Sequence, residues 1–261
     1  MFSPSKELMN LIYDKLGNYK NLYKLSKLCR AIVIYMKKIG VSKGITENDI
    51  FNLSYKIITN EEKIDISEEI QNSLLNKLNK EPINYQGDNY FYEKSPTLKN
   101  FMAFLVACSL INQHICITGP VGAGKTSGAR KFAFLRKQKS KIPYQMHSFH
   151  ARTKSNHFYG ITSLEDGRIN YINGSLTNSL IKGCIFIADE LNLSPLTTMK
   201  SLAPALELYF NEPIYFPGIT EPLKIKSSFF FIACQNDLNT IGRNIIPNTI
   251  ASKFRYISYP S

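Results

Sequence analysis

Between Ile115 and Gly128 the chain reads ICITGPVGAGKTSG, and no other stretch restricts its fold as much. Gly119, Pro120, Val121, Gly122, Ala123, Gly124, Lys125 and Thr126 match the spacing G-x-x-x-x-G-K-[ST] without departure. Glycines at these places let backbone N–H groups curl around phosphate oxygens where a Cβ would intrude. A helix opening at Lys125 aims its positive end at the same phosphates. The loop therefore needs a short buried strand in front of it and a helix behind. The apolar run Ile115–Thr118 supplies the first, and the residues from Lys125 supply the second. Lys125 is expected to reach the β- and γ-phosphates of a nucleotide and Thr126 to offer its hydroxyl to Mg2+. Ser127 completes the expected phosphate-binding set.

A magnesium nucleotide needs an acid at the end of a neighbouring buried strand. The stretch CIFIADELNLSP, residues 184–195, ends an apolar run on two adjacent carboxylates. Asp189 would accept the metal's coordinated waters. Glu190, one residue further on, can orient and deprotonate an attacking water.

The rest of the chain reads as helices followed by an α/β pattern. Residues 1–80 carry apolar positions at helical spacing, among them Leu8, Leu11, Ile12 and Leu16, then Leu22, Leu25, Leu28 and Ile32. Thr46 with Asp49 three residues on is close to a capping box. Residues 81–94 form a connector rich in turn residues, and its aromatic run Asn89–Lys94 suits packing or an adenine pocket. Residues 95–261 form the core, opening on a helix capped by Ser95 with Pro96 at its first position. After Ile115–Thr118 the strand candidates are Tyr144–Phe149, Cys184–Ala188 and Phe229–Cys234, with a small hairpin in GRINYINGS. Continuous apolar strands separated by helices imply a parallel sheet covered on both faces. The expected class is α/β, a three-layer αβα core of the P-loop NTPase kind, preceded by a small all-α segment. Ser194 and Pro195 are expected to open a further helix with Leu196, Met199, Leu202, Ala203 and Leu206 on its core side.

At this point the blocks resemble a family. A phosphate loop, then CIFIADELNL, then an apolar strand ending in ACQN is similar to the AAA+ ATPases. DELNLSP and its lead-in EDGRINYINGSLTNSLIKG resemble the dynein-related branch that includes midasin and the MoxR-like chaperones. The run LYFNEPIYFPGITEPLKIKSSFFFIACQN is similar to that branch's hairpin insertion. The resemblance implies ATP and Mg2+ as ligands, a ring of neighbouring AAA+ modules as partners, and remodelling of macromolecular complexes as the output. It assigns Asn236 as sensor 1, and a neutral amide there can hold the lytic water or γ-phosphate without neutralising the base. The family's arginine finger, which serves the next module's nucleotide, falls in ASKFRY. Here Lys253 takes the finger position, with Arg255 two residues later, and Arg243 in IGRN is a further basic candidate. Lys carries the charge without the planar fork. Residues 1–80 look weakly like the lid of a preceding module.

Two other readings stay open: a regulatory nucleotide-binding module with little turnover, and a nucleic-acid-directed NTPase, including a GTPase of the restriction type. The formal net charge of +12, from 32 Lys+Arg against 20 Asp+Glu, allows an acidic partner. Visible enrichment in Lys, Asn, Ile and Tyr explains the excess more simply. The cluster Arg130, Lys131, Arg136, Lys137, Lys139 and Lys141 reads as a solvated helix end. Five cysteines without a CxxC suit a reduced, intracellular protein. No apolar stretch is long enough to span a bilayer, so no membrane role is expected. His147 and His150 are three apart, which on a strand puts them on opposite faces and does not suit a zinc pair.

Overall fold

A computed structural model describes residues 6–16, 22–40, 44–61, 64–78, 95–140, 142–165, 167–207, 213–215, 222–237, 239 and 241–260. The connector 81–94, with its aromatic run, lies outside these residues. The chain divides into two compact units, Met1–Lys77 with Ile83–Ile111 and Leu78–Pro82 with Asn112–Ser261.

The first unit is helical: α1 (Lys6–Leu16), α2 (Leu22–Lys38), α3 (Glu47–Thr59), α4 (Glu68–Leu75) and α5 (Pro96–Leu110). Local rules set several of its ends. The Asp49 N–H donates to Thr46 Oγ1 at 3.2 Å and the Thr46 N–H donates to Asp49 Oδ2 at 2.9 Å, so the capping box closes α3 at its start. Ser95 Oγ accepts from the Leu98 N–H at 3.4 Å, with Pro96 in the first turn of α5. The Tyr35 hydroxyl donates to the Ala107 carbonyl at 2.8 Å, tying α2 to α5. Burial raises that phenol well above its ordinary value. Residues 101–109 of α5 are all buried, so this helix packs on every side. From sequence it opens the nucleotide-binding core; in the structure it groups with the N-terminal helices.

The second unit is built on a parallel sheet. Its strands in chain order are β1 (Ile115–Gly119), β2 (Tyr144–Ser148), β3 (Gly160–Glu165), β4 (Arg168–Asn173), β5 (Ile185–Asp189), β6 (Pro213–Ile214), β7 (Leu223–Lys224), β8 (Phe230–Asn236) and β9 (Arg255–Ser258). The main sheet runs β2-β5-β8-β1-β9, every neighbouring pair parallel. Two small antiparallel ribbons, β3–β4 and β6–β7, sit outside it. The helices are α6 (Lys125–Ser140), α7 (Asn156–Tyr159), α8 (Ser175–Lys182), α9 (Leu196–Lys200), α10 (Ala203–Leu206) and α11 (Asn248–Ala251). Central strands are apolar on both faces: Ile115, Ile117, Phe186, Ile187, Ala188, Phe231, Ile232 and Ala233 have no exposed surface. This is the α/β sandwich with a parallel sheet that the sequence implies. Cys116 and Cys234 lie inside it as small hydrophobes, and burial pushes both thiols well above their ordinary range. Among the described residues, no helix is long and apolar enough to cross a membrane.

The fold corrects five local readings. The fifth strand, β9, was not expected, because ASKFRYISYP lacks the apolar run of a central strand and it pairs only with β1, at the sheet edge. The helix expected from Ser194 is two short ones broken at Ser201–Leu202. Ser194 does not cap it, since its hydroxyl donates backwards to the Leu191 carbonyl at 2.8 Å. Leu196, expected in the core, is 49% exposed, whereas Met199, Leu202 and Leu206 are buried. Arg136, read as part of a solvated helix end, is buried.

Candidate functional site

All the site's strands deliver their residues at one edge, because the sheet is parallel. Gly119 ends β1 and is in register with Asn236 at the end of β8. Asp189 ends β5 on the other side of β8 and is in register with Ser148. Ligands of open parallel sheets collect at these carboxyl ends.

The loop after β1 makes its turn through Gly119, Gly122 and Gly124 at φ of 150°, 80° and 97°. The last two values favour glycine strongly. The Gly128 N–H bonds to the Gly124 carbonyl at 2.8 Å, so helical pairing begins as the loop ends. Lys125 folds back over the loop with 6% exposure. Its ammonium donates to the Gly119 carbonyl at 2.9 Å, the Pro120 carbonyl at 2.6 Å and Asn236 Oδ1 at 2.7 Å. Its three protons therefore converge where the loop and the end of β8 meet.

Asp189 and Glu190 are adjacent in sequence but serve different partners. Asp189 Oδ1 accepts from the Thr126 hydroxyl at 2.6 Å. The chain then turns through Glu190 at φ 56°, a left-handed conformation at the start of a 3-10 turn, Leu191–Leu193. Beyond that reversal the Glu190 carboxylate meets partners that Asp189 does not. Asn236 Nδ2 donates to both its oxygens, at 2.8 and 3.0 Å, and Arg243 Nη1 forms a short ion pair with Oε2. A continuous polar chain results: Lys125, Asn236, Glu190, Arg243. The Thr126 hydroxyl and the Asp189 carboxylate, in mutual contact, are the hard oxygen donors that Mg2+ takes, so the residues fit that ion.

Sequence blocks, fold and strand-end chemistry agree with one comparison in particular. Residues 114–254, more than half of the chain, match the model of the AAA domain, dynein-related subfamily. The chain belongs to that family. The chain is also similar to midasin of Dictyostelium discoideum, 24% identical over 166 residues that make up 62% of this chain and 3% of midasin. The chain thus spans a small fraction of that relative's length. A crystal structure from Cytophaga hutchinsonii, described as an ATPase candidate, aligns over 91% of this chain and 55% of its own at 14% identity. Its TM-score is 0.44, too distant a likeness to argue from.

Within this AAA domain the structure gathers Lys125, Thr126, Asp189, Glu190 and Asn236 as the sequence spacing implies. It does not bring Lys253 or Arg255 to them. Lys253 Nζ pairs with Glu207 Oε1 at 2.7 Å, and Arg255 is 4% exposed at the start of β9. Arg243, a candidate for serving another module, sits on this chain's own Glu190. Two positioning residues escaped the sequence reading. Asn192 Nδ2 holds the Asn236 carbonyl at 2.9 Å, and the Asn192 carbonyl accepts the Asn244 N–H at 2.8 Å. Asn244 Nδ2 donates in turn to the Ser194 carbonyl at 3.0 Å, which anchors the loop carrying Arg243. The signal for Asn192 was its place inside DELNLSP; Asn244 offered none beyond its neighbour Arg243.

Proposed function

We propose that this AAA domain binds ATP with Mg2+ and hydrolyses it, as one module of a ring that remodels macromolecular complexes. The observation that supports hydrolysis is the contact of Asn236 with both oxygens of Glu190 while Asn236 also holds Lys125. Phosphate-binding cation, neutral amide and general base are thereby within one hydrogen-bonded chain. The β- and γ-phosphate oxygens replace the carbonyls of Gly119 and Pro120 as acceptors for Lys125, whose charge offsets theirs. Thr126 and Asp189 would hold Mg2+, which neutralises the same phosphates when bound. Glu190 takes a proton from the attacking water, and Asn236 keeps that water and the γ-phosphate in line.

The test is Glu190→Gln, which keeps shape and hydrogen bonding but removes the base. It should retain ATP affinity in calorimetry and lose turnover by about two to four powers of ten. Turnover at the parent rate would place the base elsewhere. A second reading, a regulatory module with little turnover, draws on the three hydrogen bonds already held by Glu190. It predicts that the parent chain itself turns over no faster than Glu190→Gln.

A further inference from the structure

We propose that Arg243 serves its own chain's site, as a latch on Glu190 that a γ-phosphate releases. This rests on the hydrolysis reading above. Arg243 is not placed as a group that projects to a neighbour: its side chain is 8% exposed and ion-paired with Glu190 Oε2. The loop that carries it is pinned by both hydrogen bonds of Asn244 to the segment after Glu190. A guanidinium presents five N–H donors in a planar fork. One is on Glu190, and the buried Nε has no hydrogen-bond partner among the described residues. A buried N–H left unmatched beside the catalytic carboxylate is placed to take a further anionic oxygen.

The Glu190 carboxylate accepts from Asn236 on both oxygens and from Arg243 on one. Three of a carboxylate's roughly four lone-pair sites are thus occupied, and releasing a donor opens room for the attacking water. The two grips respond to different parts of a nucleotide. Lys125 is the far end of the Asn236 grip, and any diphosphate competes for it, which leaves the Asn236 amide free to turn. Arg243 is the other grip. Only a γ-phosphate brings enough charge close to Glu190 to draw the fork from the carboxylate, and tetrahedral phosphate oxygens match that fork. A diphosphate therefore loosens one grip and a triphosphate both. The base is freed when there is a bond to break, and Arg243 then stabilises charge on the transferred group.

Calorimetry with Mg2+ on the parent chain, Arg243→Ala and Arg243→Lys, using ADP and the β,γ-imido triphosphate, tests this, together with steady-state turnover. Arg243→Ala should bind ADP within about twofold of the parent and the triphosphate about tenfold or more weakly, the size of one charge-assisted hydrogen bond. Its kcat should fall by about two powers of ten, as for a lost charge-stabilising donor. Arg243→Lys should recover part of the triphosphate affinity. The preserved ADP affinity shows that the variant is folded. Equal weakening of both nucleotides would reduce Arg243 to a structural role and overturn the proposal, as would no weakening of either. A triphosphate effect that appears only as protein concentration rises would assign Arg243 to a neighbouring site instead. Lys125→Ala is run beside these: if it binds nucleotide normally, the hydrolysis reading itself fails, whereas a normal Arg243→Ala beside a dead Lys125→Ala fails only the latch.

Discussion

The two ends of the main sheet treat their cations in opposite ways. At the carboxyl edge, Gly119, Asp189 and Asn236 finish their strands, and the charges there meet one another in a polar cluster. At the amino edge, Arg255 opens β9 opposite Ile115, and the strand end is closed by packing. The Arg255 N–H bonds to the His114 carbonyl at 2.7 Å, and Gln113 Nε2 reaches the Lys253 carbonyl at 3.1 Å. Four residue steps separate the edges, roughly 13 Å at the rise of a strand. Arg255 is thus beyond reach of its own phosphate loop, while Arg243, in the loop that follows β8, stands in the site. A cation's position along the strand direction, more than its identity, decides whether it joins the polar cluster or packs.

The sharpest way to break this contrast is at Lys125. Lys125→Ala should weaken Mg·ATP binding by about a hundredfold or more in calorimetry, as loss of the charge that faces the phosphates. Unchanged affinity would mean that the carboxyl edge is not the nucleotide site. Arg255→Ala should act the other way. It should lower stability by about 2–4 kcal/mol in denaturant titration, through a buried cation and its packing, and leave ADP affinity alone. If it abolishes ADP binding in a folded chain, the two edges are coupled and the contrast is wrong. The smallest effect belongs to Lys253→Ala. Its pair with Glu207 is about a third exposed on both sides, so removing it should change stability by less than about 1 kcal/mol. A loss several times larger would show that the pair is a structural anchor.

What was legible in the sequence was what is contiguous. The glycine spacing from Gly119 to Gly124, the strand that runs into Asp189 and the apolar run into Asn236 each bring their own context, so loop, acid and amide could be placed before any fold was known. The capping box at Thr46 is legible for the same reason, since both partners lie within one turn. Arg243 was visible as a basic residue but not as a partner of Glu190. That pairing depends on Asn192 and Asn244 folding a loop back over fifty residues of chain, and no local rule sets it. Strand β9 was hidden because an edge strand with a buried arginine has no apolar signature. The grouping of α5 was hidden because a helix buried on all sides does not say which neighbours bury it.

Glu190 carries one more consequence. A residue with a Cβ held at φ 56° is a place where the backbone itself would be better satisfied by glycine or asparagine. The domain keeps its acid at a position that resists it, so the turn after β5 carries a backbone cost at the edge where the polar cluster forms. Glycine at 190 would relax that turn but strip the buried Arg243 guanidinium of its carboxylate partner, so the tension in the backbone is held in place by the ion pair that the glutamate makes.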